Sequence, residues 1–153
     1  MVPNELIEKM RRDWDRRAVE NHRYYIVNSR TDWSDEEFWK SGETSVSQYV
    51  LTDMGNVCQG RRPADMRVLD FGCGAGRVTR ALAKVFGEVH GVDISGEMVG
   101  LARQALADVP NVHIHHGSGV FDFAFAFSVF PSYSGQARYF IVYCRGRKAS
   151  SFR

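Results

Sequence analysis

The chain lacks three features that would narrow its class at once. It has no apolar run long enough to cross a bilayer, no excess of charge of one sign, and few cysteines. The first absence excludes a helical membrane anchor, which needs about 20 consecutive apolar residues. The second leaves a net charge of +2 on 153 residues, with no general attraction to nucleic acid or an anionic membrane, so neither is expected as a partner. The third concerns Cys58, Cys73 and Cys144, which are odd in number, far apart and without a C-x-x-C pair. They make neither a disulfide framework nor a structural zinc site, and they suit a reducing compartment. The opening stretch, "MVPNELIEKMRRDWDRR", is charged and lacks the apolar centre of a signal peptide, so a cytoplasmic location is expected. No repeat or low-complexity segment interrupts the chain.

What is present divides into two parts. Residues 1–60 read as an N-terminal helical cap. Ile7, Met10, Trp14 and Ala18 fall on one helical face, with charged residues around them. "SDEEFWKSG" predicts a helix opened by a Ser34/Glu37 capping box and stopped at Gly42. Val46, Tyr49, Val50, Met54 and Val57 trace a third apolar stripe, and Cys58 to Asp65 reads as a loop.

Residues 61–153 change to an alternation of strands and helices. "MRVLDF" from Met66 is a short strand, and Val78, Leu82 and Val85 form the inner stripe of the helix after it. "EVHGVDI" is a second strand. Ser95 caps a helix with Met98, Leu101, Ala102 and Ala105 on its inner face, and "NVHIHH" is a third strand. "FDFAFAFSVF", Phe121 to Phe130, suits a central strand covered on both faces. Such alternation predicts an α/β fold with a doubly wound parallel sheet, whose carboxyl strand ends line the ligand edge.

At that edge stand Gly72, Gly74 and Gly76. Glycine there tolerates positive φ and allows a ligand to touch the main chain. The helix beginning near Arg77 aims its first amides at the same place, which favours a negative group. Asp93 ends the second strand, 21 residues after Gly72, where a carboxylate can accept from both hydroxyls of a ribose. The expected ligand therefore joins a nucleoside to an anionic group. Arg77 stands where a G-x-G-x-x-G motif would have its third glycine, so a nicotinamide dinucleotide fits less well.

"VLDFGCGAGRVTRAL" followed by "VHGVDISGEMVGLAR" resembles the first two motifs of the class I S-adenosylmethionine-dependent methyltransferases, over about Met66 to Phe130. The resemblance implies a Rossmann-like core, S-adenosylmethionine as cofactor, and methyl transfer to an unidentified acceptor, expected to be a small molecule. It further implies that Asp70, Phe71, Gly72, Cys73, Gly74 and Gly76 surround the methionine part of the cofactor. Asp93 would hold the ribose, and Ile94 and Met98 would pack on adenine. Ser118 and Gly119, in "HGSGV", fall in the turn that approaches the adenine amino group. Ser118 stands where the family often has an acid. Such chemistry needs positioning more than a side-chain nucleophile, and no catalytic residue is assigned.

Other features have plainer readings. His113 and His115 share a strand face, but no metal is expected, and His116 is a weak candidate base near the ligand edge. The aromatics Trp14, Tyr24, Tyr25, Trp33 and Trp39 serve as packing, as a cover over the site, or as both. Cys73 reads as a small apolar filler. After Phe130 the chain holds too few residues for the rest of such a sheet, and "PSYSGQA" before "RYFIVYC" is too short for a crossover helix. A shortened core with incomplete C-terminal strands is therefore expected, with a disordered basic tail over 145–153. This leaves open whether the chain is active as it stands. The alternatives are a nucleoside-binding module without catalysis and a nicotinamide-dependent oxidoreductase. The oligomeric state is unknown from sequence.

Overall fold

The computed structural model describes residues 4–117. Ser118, Gly119, the expected fourth strand, "RYFIVYC" and the basic tail lie outside the described residues. In order come helix α1 (Asn4–Val27), helix α2 (Asp35–Tyr49), a 3-10 turn (Leu51–Asp53), helix α3 (Met54–Cys58) and a second 3-10 turn (Pro63–Asp65). Strand β1 (Arg67–Phe71), helix α4 (Arg77–Ala83), strand β2 (Glu88–Asp93), helix α5 (Gly96–Ala105) and strand β3 (Val112–His116) follow.

The three strands are parallel in the order β1-β2-β3, with Arg67 beside Glu88 and His90 beside His113. Alternation along each strand sorts the side chains into two faces. Val68, Val89 and Val112 join a core with Val78, Ala81 and Leu82 of α4 and with Val46, Val50 and Val57 from the first third of the chain. Helices α2 and α3 thus share one core with the sheet. Leu69, His90, His113 and His115 occupy the opposite face.

Several local expectations hold for the physical reasons that suggested them. Ser34 caps α2 with its hydroxyl while Glu37 reaches back to the Ser34 amide, completing the capping box. Ser95 caps α5 through the Met98 amide. Helix α1 is kinked at Asn21, whose backbone is extended and whose side chain accepts from the Tyr24 amide, restarting the helix.

Gly42 departs from expectation. It does not stop α2, which continues to Tyr49. A Cβ at Gly42 would lie 2.3 Å from the Arg77 carbonyl oxygen, so this glycine lets α2 approach the start of α4. The apolar stripe from Val46 to Val57 is likewise not one helix but the end of α2, a 3-10 turn and α3. Among the described residues, no helix is long and apolar enough to cross a membrane.

Candidate functional site

The carboxyl edge of β1 and β2 gathers most of the residues singled out in the sequence. Strand β1 delivers Asp70 and Phe71 to the glycine turn, and β2 delivers Asp93 and Ile94 next to it. Gly72, Gly74 and Gly76 all take positive φ, at 76°, 54° and 86°. Gly76 sits in left-handed geometry just before α4, and a Cβ there would also come within 2.6 Å of Leu106. Gly72 is exposed at the strand end, whereas Cys73, Gly74, Ala75 and Gly76 are buried.

The turn is held from within. Gly72 and Cys73 donate their amides to Val92 O at 2.7 and 3.1 Å, Gly76 donates to Cys73 O at 2.9 Å, and Gly74 donates to Asp93 Oδ2 at 2.8 Å. These four amides are used up by the fold. The glycines here shape the turn rather than bare these four amides to a ligand, and the first amides of α4 are not among them. What the turn presents outward is the exposed main chain of Gly72.

Asp93 is the pivot of the edge. Its Oδ2 holds Gly74, and its Oδ1 accepts from the Ser95 amide at 2.9 Å, so one carboxylate fixes both the glycine turn and the entry to α5. Burial raises its pKa, while the amides of Ser95 and Gly74 pull it back. The Ile94 amide also bonds this carboxylate, and three amides leave about one of its four lone-pair sites. The carboxylate can therefore order the loop and still receive a ribose hydroxyl.

Asp70 behaves differently. It is fully buried, and its Oδ2 accepts from Thr79 Oγ1 of α4 at 2.6 Å. Burial pushes its pKa up to about 6, against the opposing pull of the Thr79 hydroxyl and then of Arg77. Arg77 itself turns away from the edge, its Nη1 donating to Ser41 Oγ and Ser45 Oγ of α2 at 3.2 and 3.1 Å. Cys73 is buried against Gly91 of β2, and desolvation raises its thiol pKa well above the ordinary range, as befits an inert filler. Met98 is buried beneath Gly74, and Ile94 is half-buried at the rim.

Two residues at this edge had no signal in the sequence. Asp15 of α1 accepts from Ser95 Oγ at 2.6 Å and from the Glu97 amide at 3.3 Å, placing a second carboxylate at the start of α5. Ile26, near the other end of α1, lies 3.1 Å from where a Gly74 Cβ would be. Helix α1 thus lies across the turn through Asp15 and Ile26, residues outside the aromatic set read as packing, as a cover, or as both. Those rings pair with cations: Arg17 over Trp14 and Tyr25, Arg30 over Trp33, and Arg80 over Trp39. His116, the weak candidate base, turns one ring nitrogen to the main chain. Its Nε2 lies 3.0 Å from Ile94 O, which can only accept, so that nitrogen carries a hydrogen and is no base there.

The chain is similar to known methyltransferases. Residues 68–133 match the family model described as a methyltransferase domain. That segment, under half of the chain, is similar to a methyltransferase domain. The chain is 34% identical over 65 residues to dTDP-3-amino-3,6-dideoxy-alpha-D-glucopyranose N,N-dimethyltransferase of Streptomyces fradiae, covering 42% of this chain and 24% of that protein. It is 31% identical over 101 residues to demethylmenaquinone methyltransferase of Staphylococcus aureus (strain MRSA252), covering 64% of this chain and 36% of that protein. The match thus spans only a minor part of the length of either relative. Magnesium protoporphyrin IX methyltransferase of Synechocystis PCC 6803, solved with S-adenosylhomocysteine bound, shares the fold of the methyltransferase domain. Its TM-score is 0.54 at 22% identity, over 80% of this chain and 58% of that one. None of these comparisons supports the nicotinamide-dependent oxidoreductase or the non-catalytic nucleoside-binding module.

Proposed function

We propose that this chain binds S-adenosylmethionine at the carboxyl edge of β1 and β2 and takes part in methyl transfer to a small-molecule acceptor. The observation that carries this reading is Asp93: a buried carboxylate at the end of β2, tied to the glycine turn, with acceptor capacity left beyond its backbone amides. When bound, the cofactor supplies an electrophilic methyl on a sulfonium. The residues of the chain orient it. Asp93 receives a ribose hydroxyl, Ile94 at the rim lies against adenine with Met98 beneath the turn, and the exposed main chain of Gly72 meets the amino-acid end. Asp70 and Cys73 support the turn from inside, with Phe71 at the end of β1. Ser118 and Gly119 are proposed for the adenine side from the resemblance alone.

The relatives favour a small acceptor, since one is named for a sugar nucleotide and another for a quinone. Helix α1 supports a covering role for residues 1–60 over a core from residue 61 onward. Cys58 and Cys73, both free and buried, are compatible with a reducing, cytoplasmic setting.

Calorimetric titration with S-adenosylmethionine, S-adenosylhomocysteine and NAD tests the cofactor. Binding of the first two without the third is expected, and binding of NAD alone would overturn the reading. Release of S-adenosylhomocysteine in the presence of amino-sugar or quinol acceptors then tests transfer.

A further inference from the structure

We propose that Glu88, His90 and His113 form a binding site for one divalent transition-metal ion of the Zn(II) class, on the sheet face opposite α4. Alternation along β2 puts Glu88 and His90 on one face, and the parallel register sets His113 of β3 directly beside His90. One ligand atom from each lies within 4.8 Å of the others. Glu88 Oε1 is 2.6 Å from His90 Nε2 and 3.9 Å from His113 Nε2. Donors bound to one such ion at about 2.0–2.2 Å stand roughly 3–4 Å apart, so closure needs side-chain adjustments of about an ångström.

The surroundings complete a second layer. Glu88 Oε2 pairs with Arg67 Nε at 2.9 Å, which holds the carboxylate while Oε1 faces the histidines. His90 Nδ1 lies 2.9 Å from His115 Nε2, and the two rings stack within 9° of parallel. With an ion on the Nε2 lone pair, His90 carries its hydrogen on Nδ1 and donates it to His115. A metal-bound imidazole is commonly oriented by such a partner.

Two imidazoles and one carboxylate suit Zn(II), Co(II), Ni(II) or Cu(II) rather than Mg(II) or Ca(II), which prefer all-oxygen shells. His113 is the most exposed of the three, so an ion can enter past it and keep one position for water. The site lies about 10 Å back along β2 from Asp93, counting three residues at the usual strand rise, and is separate from the cofactor edge. An ion there clamps β3 to β2.

The test is titration of the full, reduced and chelator-washed chain with Co(II), read by visible absorption, and with Zn(II), read by calorimetry. The expected result is one ion per chain, with the d–d bands of a four-coordinate site and no thiolate charge-transfer band. His113→Ala and Glu88→Gln should each weaken binding at least about tenfold. The positioning variant His115→Ala should weaken it by about 10–100-fold, while His116→Ala, on the other face, should leave it unchanged. Far-UV circular dichroism without metal shows that each variant is folded, and His113 is exposed enough to lose its ring without unfolding the sheet. Absence of the d–d bands, a thiolate band in their place, or undiminished affinity in both His113→Ala and Glu88→Gln would overturn the proposal.

Discussion

The carboxyl edge and the open face of the same three strands put their polar groups to opposite uses. At the edge, Asp70 and Asp93 are buried, and their oxygens are engaged by Thr79, Gly74 and Ser95. On the face, Glu88, His90 and His113 lie partly in solvent and pair with one another, with Arg67 and with His115. A ligand at the edge meets a preorganised frame, whereas an ion on the face must draw in side chains that already lean together. Damage at the edge should therefore cost stability and binding together, while damage on the face should cost binding alone.

The sharpest way to break that contrast is Asp93→Ala. It leaves the Gly74 and Ser95 amides without their acceptor in a buried place. At about 1–3 kcal/mol per orphaned group, unfolding stability should fall by about 4 kcal/mol in urea titrations. Cofactor affinity should fall at least about tenfold in the same protein. A stable variant with unchanged affinity would remove the edge from the account.

Next in size is the effect of Asp70. Its pKa in the fold, about 6, lies above the ordinary 3.8. Between these values the folded state binds more protons than the unfolded one, so stability declines as pH rises through about 4 to 6 and then levels off. The Asp70→Asn protein lacks this loss. Relative to the parent it should gain up to roughly 3 kcal/mol across that window, the equivalent of the rise from 3.8 to about 6. Parallel urea curves at several pH values measure it, and a constant difference would mean that Asp70 is not desolvated.

Gly76→Ala should come third, at about 2 kcal/mol. The residue has φ 86°, and the new methyl would meet Leu106 at 2.6 Å. Thermal denaturation checks it, with an unshifted midpoint as the contrary result. The smallest effect belongs to His113→Ala on the open face, under about 0.5 kcal/mol in the absence of metal. A larger loss would show that the face is bound into the fold as tightly as the edge.

These two regions also differ in how far the sequence disclosed them. The glycine turn, Asp93 and the Ser95 cap belong to one contiguous strand-turn-helix pattern, in which spacing along the chain nearly determines spacing in space. All three β-strands within the described residues were legible for the same reason, as runs of apolar residues between turn signals. Asp15 was not, because it reaches Ser95 across 80 residues through the placement of α1, which no local pattern encodes. Gly42 reads as a helix stop because its sequence context cannot show that the Arg77 carbonyl will sit against it. The face cluster was half legible. His113 and His115 visibly share a side, but His90 and Glu88 join them only once the register of β2 against β3 is known. Aligning "EVH" with "NVH" as neighbouring parallel strands would have supplied that signal.

The most direct test of the central claim is a crystal structure of the full chain with S-adenosylhomocysteine. The account predicts the ribose diol within hydrogen-bonding distance of Asp93, with the Gly74 and Ser95 contacts preserved and the amino-acid end against Gly72. Nucleoside density bound elsewhere, or an edge left empty at saturating ligand, would contradict it.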